Sequence, residues 1–162
     1  MATTLPAPMQ PDLRSFIVYD RCPARCIAFP IADDRSLPHL RPGDVAVVDA
    51  ADREPIEREL FLIEWNDGGR EIIETFSRAG RFGCGPAGEM IDTHCWFVGP
   101  YNRPRTFEAA MAEARRTGIL RGLVDGPYAT EGRNAGVLQS KLVGRVVGIL
   151  ASSVRGAETG SA

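Results

Sequence analysis

Residues 38–49 constrain the chain more than any other stretch. They read Pro38-His39-Leu40-Arg41-Pro42-Gly43-Asp44-Val45-Ala46-Val47-Val48-Asp49. Pro42-Gly43-Asp44 is a turn with a mechanism: Pro fixes φ, Gly accepts a positive φ, and Asp can accept backbone N–H groups. The apolar, β-branched run after it predicts a buried strand. Cys26-Ile27-Ala28-Phe29-Pro30-Ile31 is a second such run. Two strands therefore flank a loop, residues 32–41, that carries Asp33, Asp34, Arg35, Ser36 and His39.

Further along, Leu60-Phe61-Leu62-Ile63-Glu64-Trp65 and Arg70-Glu71-Ile72-Ile73-Glu74-Thr75-Phe76 predict a hairpin, with Asn66-Asp67-Gly68-Gly69 as its turn. Residues 50–59 are charged and contain Pro55, so they read as a connection. Phe16-Ile17-Val18-Tyr19, Thr93-His94-Cys95-Trp96-Phe97-Val98-Gly99 and the run 143–151 predict three more strands. The Gly-rich stretch 78–88 predicts a loop. A helix is expected over 106–117. Thr106 is its N-cap, Glu108 lies in its first turn, Arg115 and Arg116 in its last, and Gly118 ends it. Phe107, Ala110, Met111 and Ala114 recur along it at three- and four-residue spacing. In the segment 119–134, Asp125-Gly126-Pro127 and Glu131-Gly132 predict turns.

The strand, the loop ending in Pro38-x-Leu40-x-x-Gly43-Asp44, and the apolar strand closing on Asp49 resemble the LexA-type serine peptidase domain, shared with UmuD and many phage repressors. Leu142-Val143-Gly144-Arg145-Val146-Val147-Gly148-Ile149 is similar to that family's closing strand. The resemblance covers residues 27–49 and this last run, and the middle matches only loosely. It implies a mostly β, LexA/signal-peptidase-like fold with one inserted helix near 106–117. The domain would span 15–152, between flexible tails at 1–14 and 153–162. The stretch ahead of Cys26 is too short for the helix-turn-helix domain that such repressors carry.

In the family a serine attacks a peptide carbonyl, and a lysine with a burial-lowered pKa takes its proton. Matched residue by residue, Arg35 falls on the serine and Glu74 on the lysine. A guanidinium is no nucleophile and a carboxylate supplies no neutral amine. The resemblance thus implies a domain without its dyad, acting in regulation, dimerisation or protein interaction. If the family topology holds, Arg35 and Glu74 meet as an ion pair; otherwise both face solvent. The alternative is an active self-cleaving peptidase of the SOS or phage-repressor type. That requires a one-residue slip to Ser36, with Lys141 as the base.

Composition narrows the other options. All but Lys141 of the 19 basic residues are arginine, so no other side-chain amine exists. Net charge is −2 over 162 residues, which provides no global basic field for nucleic acid. No tight sequence-specific DNA binding by this chain alone is expected. Arg103, Arg105, Arg115, Arg116 and Arg121 gather around the helix as a solvated or partner-facing surface, to which phosphate contact is open. Four cysteines without a matched pair of pairs predict free thiols. The alternative is a metal- or redox-responsive module, with zinc on Cys22, Cys26 and Cys95 and His94 or Cys84 as the fourth ligand. His94 and Cys95 are neighbours in a strand and so point to opposite faces. No cofactor is expected. No apolar run is long enough to span a membrane, and no leader pattern is evident, so the cytoplasm and a homodimer are the expected setting.

Overall fold

The apolar runs fall into strands of one mostly antiparallel sheet. The computed structural model describes residues 14–118 and 124–151. The expected tails therefore lie outside the described residues, with Arg14 as the exception. Its backbone N–H donates to His39 Nδ1 at 3.3 Å and its guanidinium pairs with Glu59, so it belongs to the domain.

The strands are β1 (Ile17–Tyr19), β2 (Cys26–Pro30), β3 (Val45–Asp49), β4 (Leu60–Glu64), β5 (Arg70–Cys84), β6 (Met90–Gly99), β7 (Asp125–Ala129) and β8 (Leu142–Leu150). Their order across the sheet is β2-β3-β8-β4-β5-β6-β7. β8 is an interior strand. β3 lies along one of its edges, while β4 and then β1 take successive stretches of the other. β1 alone pairs in parallel.

β4 explains why the sheet holds together. Leu60 and Leu62 pack into a cluster with Leu40, Val48, Ile72 and Val146, whereas Phe61 and Ile63 pack into another with Ile73, Val98, Leu138 and Leu142. Alternate side chains leave a strand on opposite faces. A strand covered on both faces must therefore be apolar at every position, and all four of these residues are fully buried. Burying one such side chain stabilises the fold by about 1.5–3 kcal/mol. On β8 the limit is steric. A Cβ on Gly144 would lie 2.2 Å from the Asp49 carbonyl oxygen, and one on Gly148 would lie 2.4 Å from that of Ile17. Only glycine lets β8 pass this close to its neighbours.

The 66–69 turn closes β4 onto β5 as expected. The Trp65 N–H donates to the Gly69 carbonyl at 2.8 Å, and Leu60 to Glu64 pair with Glu74 to Arg70. α1 (Phe107–Thr117) has the expected caps: Thr106 Oγ1 accepts the Ala109 N–H at 3.2 Å, and Gly118 is left-handed. Its apolar stripe is not a core face, for no residue of α1 is buried and Phe107 is 76% exposed.

Two expectations need correction, and one element was not foreseen. Residues 78–84 are not loop. β5 continues to Cys84 and pairs with β6, because ladder hydrogen bonds join backbones whatever the side chains. Asp125-Gly126-Pro127 is not a turn but the start of β7, an edge strand, where proline's missing N–H is tolerated. A short helix, α2 (Val137–Lys141), precedes β8 and buries Leu138. Among the described residues no helix is long and apolar enough to cross a membrane.

Candidate functional site

The loop between β2 and β3 is tied at its neck. The Ile31 N–H donates to the Asp44 carbonyl and the Gly43 N–H to the Ile31 carbonyl, both at 2.8 Å. Gly43 has φ 95° and Asp44 Oδ2 accepts the Arg41 N–H at 2.8 Å, as the turn chemistry predicts. Within the loop Leu40 is fully buried and Ser36 is 2% exposed. His39 is also buried, its ring edge-on to Phe16 and Tyr101. Asn102, just past β6, clasps the loop from outside: its side chain donates to the Asp34 carbonyl at 2.7 Å and its N–H to the Arg35 carbonyl at 3.1 Å.

Arg35 and Glu74 do not pair. Arg35 is half-exposed and joins Glu71, with Asp33 at 3.3 Å. Glu71 also accepts the Trp65 indole N–H at 2.6 Å. Glu71 and Glu74 are three residues apart on one strand, so they leave on opposite faces. The loop meets β5 on the Glu71 side. The other candidate pair does not form either. Lys141 Nζ reaches Asn66 Oδ1 at 3.2 Å and lies 5.7 Å from the Trp65 ring centre, and no hydrogen bond joins it to Ser36.

Glu74 is instead the centre of a buried ion cluster. Its carboxylate is fully buried, and Oε2 accepts from Arg103 at 2.6 Å and Arg105 at 2.7 Å. The Arg103 side chain is only 3% exposed, donates also to the Pro100 carbonyl at 2.8 Å, and lies 4.0 Å from the Phe76 ring centre. Burial pushes the Arg103 guanidinium below its ordinary range. Glu74 opposes that shift, while Arg105 and Arg78 add to it by like-charge repulsion. Glu74 Oε1 is buried without a hydrogen-bond donor among the described residues. The cluster floors a cleft of about 260 Å³ whose walls add Glu57, Arg58 and Arg78.

The expected basic surface is thus divided. Arg103 and Arg105 turn inward, Arg115 and Arg116 stand exposed at the end of α1, and Arg121 lies outside the described residues. Sequence reasoning missed Arg103 and Arg105 as partners of Glu74, and did not single out Arg58 or Arg78. The signal was there: a carboxylate at the centre of an apolar strand requires a cation, and Arg103-x-Arg105 follows the next strand.

The cysteines are free thiols and do not form the alternative zinc-ligand set. Among the described residues no three His, Cys, Asp or Glu side chains lie together as metal ligands. Cys22 and Cys26 are half-buried, Cys84 is exposed, and Cys95 is buried against Phe76 and Phe97. Burial raises the Cys95 thiol pKa; burial, Asp49 and Cys22 raise that of Cys26. Neither has the character of a thiolate nucleophile. His94 is exposed and Cys95 buried, as neighbours on opposite faces must be. Comparison with known protein families, with characterised proteins and with solved structures gave no match.

Proposed function

We propose that the chain is a non-catalytic relative of the LexA-type peptidase domain, serving as a regulatory, self-associating or protein-interaction module. One observation carries the reading. The position that the resemblance gives to the catalytic base is Glu74, a buried carboxylate held by two guanidiniums. Such a group is already committed and cannot shuttle a proton to a nucleophile. The lysine that a slipped register would use reaches Asn66, and no hydrogen bond joins it to the buried Ser36. Self-association is what the resemblance implies, and the cytoplasm is the setting that goes with it.

A single experiment addresses both halves of the proposal. The purified chain is held at tens of micromolar, at neutral and alkaline pH, and followed by intact mass and sedimentation equilibrium. The mass should not change, and a dimer should be populated at a concentration where functional homodimers usually are. Cleavage that Ser36→Ala abolishes would restore the peptidase reading. A monomer throughout would remove self-association.

A further inference from the structure

The cleft above Glu74 carries more positive charge than the fold needs. Four guanidiniums line it, from Arg58, Arg78, Arg103 and Arg105, against the carboxylates of Glu57 and Glu74. Glu74 is held between Arg103 and Arg105. Glu57 Oε2 accepts the Ser77 backbone N–H at 2.7 Å and pairs with no arginine among the described residues. Arg58 and Arg78 likewise have no carboxylate partner there. An excess of two positive charges therefore surrounds one concavity.

The side chains are also positioned. Arg78 lies over two rings, 4.9 Å from the centre of Phe76 and 5.4 Å from that of Phe97. Arg58 holds a left-handed backbone at φ 62°, and its N–H donates to the Thr75 carbonyl at 2.7 Å, which fixes where its side chain leaves the rim. Arg103 is immobilised by Glu74, Pro100 and the Phe76 ring. Arg105 is held by Glu74 and by the Tyr101 carbonyl at 3.0 Å. Each guanidinium has five N–H donors in a rigid fork, so Arg103 and Arg105 retain donors beyond those the fold uses.

We propose that this cleft is an oxyanion site whose ligand is a dianionic phosphoryl group, as the free ion or as a compact phosphomonoester. Charge selects the class, because two negative charges match the excess of two. Shape selects it too: a tetrahedral group turns three or more oxygens toward guanidiniums on separate walls, whereas a planar carboxylate offers two. Arginine forks suit such oxygens. Size sets the upper limit, since about 260 Å³ falls below the roughly 300–1,000 Å³ of pockets that take drug-sized ligands. The proposal is independent of whether the chain cleaves peptides.

The test is titration of the full chain, in low-salt buffer near pH 7.5, with inorganic phosphate, O-phosphoserine, sulfate and acetate, read by calorimetry and backbone amide shifts. Phosphate or O-phosphoserine should saturate with a Kd of about 1 mM or tighter. Sulfate should bind comparably, and acetate at least tenfold more weakly. Tighter binding of O-phosphoserine than of phosphate assigns an ester ligand; the reverse assigns the free ion. Arg78→Ala should weaken binding at least tenfold. So should Arg58→Asn, chosen because Asn tolerates the left-handed backbone. Arg70→Ala, which removes an exposed arginine outside the cleft, should leave binding unchanged. Arg58 and Arg78 are exposed, and near-ultraviolet circular dichroism verifies that each variant is folded. The proposal is overturned if neither phosphate nor O-phosphoserine saturates, if acetate binds as well as phosphate, or if the Arg58 and Arg78 variants bind like the unaltered chain.

Discussion

Along β5, every residue from 72 to 76 is buried, whereas none from 77 to 84 is. Both halves are extended backbone, and from Glu74 onward they share one ladder with β6, while Ile72 and Ile73 pair with β4. The inner half packs on either face against core clusters, with Glu74 as its one charged member. The outer half has Phe82 edge-on to Phe97 and Arg78 over aromatic rings, but otherwise faces water. Backbone pairing alone can extend a strand well past the core. It contributes little stability, since each ladder bond replaces bonds to water and nets roughly 0.5–1.5 kcal/mol.

The contrast breaks most sharply at Glu74. Glu74→Gln leaves Arg103 charged and buried beside Arg105 without its counter-ion, and the expected loss is about 3–5 kcal/mol in chemical denaturation. Replacing Glu74 and Arg103 together by Leu and Met should recover most of that loss, because neither charge is then stranded. A Glu74→Gln protein as stable as the original would remove the cluster from the list of structural determinants. In the outer half Phe82→Ala gives up one ring contact at a partly exposed site. About 1 kcal/mol is expected, seen as a lower urea midpoint at unchanged slope. A loss approaching that at Glu74 would mean the two halves fold as one core. The smallest effect belongs to Arg35→Ala. The Arg35–Glu71 pair is half-exposed, and surface pairs contribute about 0–1 kcal/mol that salt screens. A larger, salt-insensitive loss would make the Arg35–Glu71 pair part of the buried framework to which Leu40 of the same loop belongs.

The same contrast decides what could be read from the sequence. The inner hairpin was legible because burial on both faces leaves a continuous apolar run between turn residues. The mostly β class followed from several such runs, and the α1 caps followed from Thr106 and Gly118. The outer half of β5 was not legible. Ser77, Ala79, Gly80 and Gly83 carry no strand propensity, and the ladder that orders them leaves no compositional mark. β7 was hidden in the same way, since Gly126 and Pro127 signal turns by type and only an edge position makes them a strand. At the site, the placement of Glu74 called for a cation and Arg103-x-Arg105 offered two, but the pairing itself was not legible. Which arginine reaches a buried carboxylate depends on the path of the chain after β6, and no local pattern encodes that path.

β8 has a consequence for how the protein is made. It is the last of the described strands to leave the ribosome, yet it joins β3, β4 and β1 inside the sheet. Until it arrives, β3 and β4 have no bridge between them, and each exposes an unpaired apolar edge. β1 waits for it as well, across most of the described chain. Such distant pairings must meet their loop-closure cost before they are rewarded, which slows folding and prolongs the time open edges stay exposed. The nascent chain is thus at its most aggregation-prone just before synthesis of this segment is complete, and Gly144 and Gly148 are the residues that let the late strand slot between partners already in place.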